Sequence, residues 1–238
     1  MKIITLTTDY GDFYAAQIKA VLVGNNVSII DITHDIRPHK NSVPVGAYIL
    51  KHAADKFPSS TVHLAVVDPG VGGKRKAIAI RTKNYWFVGP DNGLLVPAAE
   101  QDGIKDIFVI NLKAKSMTFH GKDIFAPAAL EILKGNRKFL QRTKDYVQLQ
   151  LDNKAFVNRF GDVELPIKDE IVSVNGRSIK NYGTYSEADF GEIFSVIDSR
   201  GLREIARREG NAARKFGNKL VVKTKNKIYN FDVIRLGV

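Results

Sequence analysis

Four side chains among the first 120 residues of this sequence are of types that move protons or hold anions: Asp9, Asp68, Arg75 and His120. Asp9 closes a β-branched run and is followed by Tyr10-Gly11-Asp12. Asp68 closes the run Thr61 to Val67 and opens the glycine-rich stretch Pro69-Gly70-Val71-Gly72-Gly73. Loops at the carboxyl ends of strands form the ligand crevice of an open parallel sheet, so acids placed there are candidates for chemistry. Either aspartate could also serve as a helix cap or an Asx turn. The glycines let the backbone approach a ligand and could present N–H groups to an anion. They lack the Lys-Ser/Thr of a phosphate loop and the GxGxxG spacing of a dinucleotide fold, so nucleotide phosphate binding has no support. Arg75, just past the loop, could pair with Asp68 or hold an anion. His120 lies in Thr118-Phe119-His120-Gly121-Lys122-Asp123, directly before an Ala/Pro-rich stretch expected to be a helix capped by Asp123. A lone histidine is more often structural, but this position keeps it accessible. His34 and His39 beside Asp31 and Asp35 resemble a metal set only superficially, because one short loop without a second motif makes a poor site. No metal and no cofactor are expected.

The elements that must position these residues alternate. Strands are expected at Lys2–Thr7, Val27–Asp31, Thr61–Val67, Ala77–Thr82, Trp86–Val88 and Ile107–Leu112, and helices near Phe13–Val23, Ser42–Phe57 and Ile124–Lys134. This βαβ rhythm implies an α/β domain with a parallel sheet flanked by helices. After about residue 140 the rhythm changes to short strand candidates: Tyr146–Leu151, Ala155–Asn158, Glu170–Val174, Glu192–Ile197, Leu220–Lys223 and Ile228–Val233. A single helix is expected near Leu202–Arg208. The expectation is therefore two domains, 1–140 (α/β) and 146–238 (smaller, β-rich, mostly antiparallel), with the boundary in the charged stretch Lys134–Asp145.

The 238 residues are 44% hydrophobic and 26% charged, an ordinary globular composition. No window reaches the roughly 18 apolar residues of a membrane span, and no signal-peptide pattern precedes the first strand, so a cytoplasmic protein without a membrane partner is expected. The absence of cysteine removes disulfides, thiolate catalysis and Cys-based metal sites. The net charge of +11 is uneven: residues 200–238 carry eleven Lys/Arg against three Asp/Glu, a net of +8. A lysine-rich solvated surface accounts for this more simply than a nucleic-acid footprint, and nucleic acid is not expected as a partner.

Taken together, Thr8-Asp9-Tyr10-Gly11, Asp31-Ile32-Thr33-His34-Asp35-Ile36, Val67-Asp68-Pro69-Gly70-Val71-Gly72, Gly89-Pro90-Asp91-Asn92-Gly93 and Thr118-Phe119-His120-Gly121-Lys122-Asp123 resemble, in order and spacing, the S-adenosylmethionine hydroxide adenosyltransferase family, relatives of fluorinating and chlorinating enzymes. Phe160-Gly161, Asp198-Ser199-Arg200-Gly201 and Gly210-Asn211-Ala212-Ala213 extend the resemblance over nearly the whole chain. It implies metal-free hydrolysis of S-adenosyl-L-methionine to adenosine and L-methionine in a homotrimer. It also implies sites between the N-terminal domain of one subunit and the C-terminal domain of its neighbour.

The family's Asp–Arg–His set falls on Asp68, Arg75 and His120, which implies water rather than halide as nucleophile. Asp9 is then expected on the ribose hydroxyls, Ser199 and Arg200 on the methionine carboxylate, and Tyr185 against adenine. One departure stands out. The family places an Asp shortly before Phe-Gly-Asn, the Asp for the substrate ammonium and the Asn for adenine, whereas here Asn158-Arg159-Phe160-Gly161-Asp162 exchanges the two types. Asn158 and Asp162 are both expected at the substrate, with Asp162 as the alternative ammonium partner. The competing readings are a non-catalytic adenosyl-ligand or RNA-binding module, and a hydrolase of a different adenosyl compound.

Overall fold

The computed structural model describes residues 2–37 and 39–236, so Met1, Pro38, Gly237 and Val238 of the expected domains lie outside the described residues. The chain divides into two compact units, one running to Leu149 and one beginning at Gln150.

The first unit is built on seven strands: β1 (Ile3–Thr8), β2 (Ser28–Thr33), β3 (Val62–Val66), β4 (Ala77–Thr82), β5 (Trp86–Pro90), β6 (Ile104–Ile110) and β7 (Leu140–Thr143), in the order β2-β1-β3-β5-β4-β6-β7. The pairs β1–β2, β1–β3 and β3–β5 are parallel. The sheet is nonetheless mixed, which corrects the parallel sheet expected from the rhythm, because β4 runs antiparallel to both β5 and β6, and β6 to β7. The reason is local. Only Lys83, Asn84 and Tyr85 separate β4 from β5, a hairpin connection too short for the crossover a parallel pair needs.

Four helices belong to this unit: α1 (Gly11–Leu22), α2 (Ser42–Ala54), α3 (Val96–Asp102) and α4 (Ala126–Leu133). α1 buries Ala15, Ile18 and Leu22, positions spaced to share one face, against alternate residues such as Ile4, Leu6, Leu64 and Val66 of β1 and β3. Each fully buried branched side chain of this kind contributes about 1.5–3 kcal/mol relative to exposure. No helix among the described residues is long and apolar enough to cross a membrane.

The second unit holds nine short strands: β8 (Lys154–Val157), β9 (Val163–Glu164), β10 (Ile171–Val174), β11 (Arg177–Ser178), β12 (Lys180–Asn181), β13 (Ile193–Ile197), β14 (Arg203–Arg207), β15 (Lys219–Thr224) and β16 (Ile228–Arg235). Antiparallel pairs dominate, with parallel pairing between β12 and β13 and between β16 and β8. Two expectations are corrected here. The helix expected near Leu202–Arg208 is strand β14, paired with β13 on one side and β9 on the other. Its Arg203 and Glu204 are buried with polar partners, so charges that mimicked a solvated helix face lie inside the sheet. Tyr146–Leu151 is not a strand either. Val147 N–H donates to the Asp91 carboxylate at 2.8 Å, so a side chain stands where a ladder partner would be.

Candidate active site

Strand β3 delivers Asp68 to the carboxyl edge of the first unit's sheet, with a side chain only 1% exposed. The loop after it must turn back tightly: Gly72 has φ 78°, and a Cβ there would lie 2.8 Å from the carbonyl oxygen of Met117. That turn brings Arg75 back onto Asp68. Arg75 Nε donates to both carboxylate oxygens, at 3.0 and 2.9 Å, and Nη2 donates to Oδ2. The same Nη2 lies 2.8 Å from His120 Nδ1, and the guanidinium sits 5.2 Å over the ring of the fully buried Phe125. Asp68, Arg75 and His120 thus come together as expected from three separate segments.

Arginine can only donate, so His120 Nδ1 must be the acceptor and the ring proton of the neutral form lies on Nε2. Burial, reinforced by the Arg75 charge, lowers the His120 pKa and favours that neutral form. His120 ends at a single π turn, Gly121–Phe125, which leads into α4. Such turns are rare and occur at functional sites. Asp123 does not cap this turn. Its carboxylate accepts the N–H groups of Lys115 and Ser116 at 3.1 and 2.7 Å, and so fixes the approach to His120 instead.

Asp9 stands beside this cluster. Its Oδ2 accepts the Asp68 N–H at 3.3 Å, while Oδ1 is buried without a partner. Burial pushes the Asp9 carboxyl up to about 6, and the neighbouring Asp68 carboxylate adds to the shift. A buried acceptor with no partner among the described residues is one that a ligand hydroxyl could satisfy. The histidine set near residue 34 has another use: His34 Nδ1 lies 2.8 Å from Thr8 Oγ1, its Nε2 lies 3.1 Å from Asp31, and its carbonyl accepts the Gly11 N–H at 2.9 Å. These bonds pin the turn that presents Asp9. Among the described residues no group of three or more acids and histidines is arranged to hold a metal ion.

The second unit gathers its own polar cluster. Asn158 turns the chain by accepting the N–H groups of Phe160 and Asp162, both at 3.0 Å, and its amide donates to Glu164 at 3.3 Å. Asp162 is buried and its pKa is raised, chiefly by that burial. Tyr185, in a 3-10 turn, donates its hydroxyl to Glu204 at 2.6 Å. Glu204 is pushed up to about 7 by burial, with Asp162, Glu164 and Asp198 adding to the shift. Arg200 Nε donates to Asp198 at 2.8 Å, and its Nη2 lies 2.9 Å from Glu164. Burial alone would raise Asp198, but the Arg200 bonds and the Leu202 N–H outweigh it and hold that carboxyl low. Ser199 is exposed beside Arg200. Asp162, Glu164, Asp198 and Glu204 act on one another electrostatically, and of these Glu164 and Asp198 pair with Arg200, so the cluster favours a cationic ligand.

Several participants were not picked out from the sequence. Asn92 donates to the Val67 carbonyl at 2.8 Å, bracing the residue before Asp68, and its place in Gly89-Pro90-Asp91-Asn92-Gly93 was the available signal. Glu164, Glu204 and Phe125 carried no such signal, because their roles arise from contacts distant in sequence.

Residues 4–141 match the family model of the SAM hydroxide adenosyltransferase N-terminal domain, and residues 132–223 that of the C-terminal domain. The chain belongs to this family. Among its relatives is the (R)-S-adenosyl-L-methionine hydrolase of Methanocaldococcus jannaschii, 39% identical over an alignment covering 90% of this chain and 91% of that protein. The protein of the same name from Salinispora arenicola is 34% identical, with 88% and 92% covered. A crystal structure of an uncharacterized conserved protein from Thermotoga maritima superimposes with a TM-score of 0.79 at 34% identity, covering 95% of this chain and 99% of that one.

Proposed function

We propose that this protein hydrolyses S-adenosyl-L-methionine to adenosine and L-methionine, the substrate being the one named for its relatives. The observation that carries the reading is Arg75 bridging Asp68 and His120 at the carboxyl edge of β3. Water attacks the ribose C5′, the C5′–S bond breaks with its electron pair going to sulfur, and one proton is released. Sulfonium charge is lost as a neutral thioether leaves, so a water-poor site favours the transition state.

Water has a pKa of about 15.7 and needs both positioning and a proton acceptor. His120 offers Nε2–H as a donor to the water oxygen, since Nδ1 is taken by Arg75. Asp68 retains lone pairs beyond those that hold the guanidinium and accepts the proton. Arg75 balances the charge that develops on oxygen.

Asp9 accepts the ribose hydroxyls through its empty oxygen. Asp162, in its acidic surroundings, takes the substrate ammonium, Asn158 shapes the turn around it, Tyr185 lies against adenine, and Ser199 with Arg200 receives the methionine carboxylate. This second set serves a neighbouring subunit in a homotrimer, and a single-chain mass in light scattering would contradict that assembly. The protein acts in the cytoplasm without a metal, cofactor, membrane or nucleic-acid partner. Chromatography after incubation with S-adenosyl-L-methionine tests the activity. Adenosine and methionine in equal amounts are expected, and no product at high protein concentration would return the chain to a ligand- or RNA-binding role.

A further inference from the structure

At the other end of the first unit's sheet, where β1, β3 and β5 begin, lies a cavity of about 460 Å³. This is within the roughly 300–1,000 Å³ typical of small-molecule sites. Asp9 and Asp68 stand at the carboxyl ends of β1 and β3, so the cavity is separate from the candidate active site. Lys2, Arg81, Lys83, Lys105 and Arg137 converge on it from four stretches far apart in sequence, and its lining contains no Asp or Glu.

A solvated lysine face would scatter these charges or pair them, as happens elsewhere in the molecule: Lys19 with Asp31, Lys76 with Asp145 and Lys154 with Asp232. Here, among the described residues, only Arg81 has a carboxylate partner, Asp106, which it shares with Arg142. Lys2, Lys83 and Lys105 form no ion pair among the described residues. Arg137 is fixed rather than mobile. Its Nη1 donates to the Ile132 carbonyl at 2.7 Å, and its guanidinium lies 4.6 Å over the ring of Trp86, itself stacked on Phe108. Burial and the nearby Arg81 charge both lower the Arg137 pKa, a sign that like charges crowd one another.

We propose that this cavity is a binding site for a small polyphosphate anion, recognised by the ammonium groups of Lys2, Lys83 and Lys105 with Arg81 and Arg137 at its wall. The backbone at the hairpin is already committed, Lys83 N–H to the Gly103 carbonyl and Asn84 N–H to Asp102. Binding therefore rests on side-chain point charges, which suit a flexible chain of phosphates better than one oriented carboxylate. Several anionic groups in one ligand relieve the mutual repulsion of the five cations together.

Calorimetric titration of the intact protein with inorganic triphosphate near physiological salt tests the site. Saturable binding of one triphosphate per chain is expected. Lys83→Glu with Lys105→Glu should weaken it about tenfold or more, since each removed cation forfeits a charge-assisted contact. Melting temperature and adenosine formation should stay at the unaltered protein's values. If that double variant does not fold, Lys83→Gln and Lys105→Gln singly give the same reading. Absence of saturation, an affinity indifferent to these substitutions, or a single-stranded RNA that saturates where triphosphate does not would each overturn the proposal.

Discussion

At the scale of single residues, the account turns on the direction of one hydrogen bond. The 2.8 Å contact between Arg75 Nη2 and His120 Nδ1 can only run from arginine to histidine, which removes Nδ1 from proton chemistry and makes Nε2–H a donor. Truncating either residue should therefore damage the step in which charge develops, not the docking of substrate. His120→Ala and Arg75→Ala are each expected to lower kcat by roughly a hundredfold or more with KM changed little. Steady-state kinetics check this, and wild-type turnover in both variants would remove them from the mechanism. Asp162 belongs at the same scale. If its carboxylate meets the ammonium, Asp162→Ala should weaken substrate binding about tenfold or more, and unchanged affinity by calorimetry would exclude that role. Asp68 and His120 were legible in the sequence through short motifs and Arg75 only as a cation just past the glycine-rich stretch; it was the family resemblance that joined the three into one set. The Tyr185–Glu204 bond was not legible, since it joins residues 19 positions apart through a strand that read as a helix.

At the scale of elements, strand ends and tight turns do the positioning. β3 fixes Asp68, and the Gly70–Gly73 turn returns Arg75 to it only because Gly72 can hold φ 78° with its Cα close to the Met117 carbonyl. A methyl group at Gly72 meets both a disfavoured backbone and a 2.8 Å contact. Gly72→Ala should shift the loop and cut activity by about tenfold or more while costing about 1–3 kcal/mol of stability. Parallel kinetics and denaturant titration measure the two, and a fully active variant would show that the turn does not set Arg75. Most of the alternating elements of the first unit were readable from apolar spacing, but the short α3 and β7 were not expected. The short connection of Lys83, Asn84 and Tyr85 between the expected strands already dictated one antiparallel pair, whereas the antiparallel pairs of β6 with β4 and β7 depend on partners distant in sequence and were not readable. In the second unit, two-residue strands such as β9, β11 and β12 carry too little periodicity to register at all.

At the scale of the whole molecule, stability responds to acid through a residue remote from the chemistry. His63 on β3 is fully buried, bonded through Nδ1 to Thr5 Oγ1 at 2.8 Å, and enclosed by Phe57, Tyr85 and Phe87. Burial depresses its pKa to about 4, below the ordinary 6.5. The unfolded chain therefore takes up the proton first, so the contribution of neutral His63 is complete above about pH 6.5 and declines as pH falls toward 4. The loss amounts to about 3 kcal/mol across that window. Between pH 7.5 and 4.5 the unaltered protein should lose about 2–3 kcal/mol more unfolding free energy than His63→Phe, which lacks the proton site; equal acid losses in both would refute the assignment. The central claim is that water, placed by Asp68, Arg75 and His120, attacks the ribose C5′. Running the reaction in 18O-labelled water and weighing the adenosine by mass spectrometry tests it most directly. One 18O in the 5′-hydroxyl is the predicted result, whereas unlabelled adenosine, or a product other than adenosine and methionine, would contradict it.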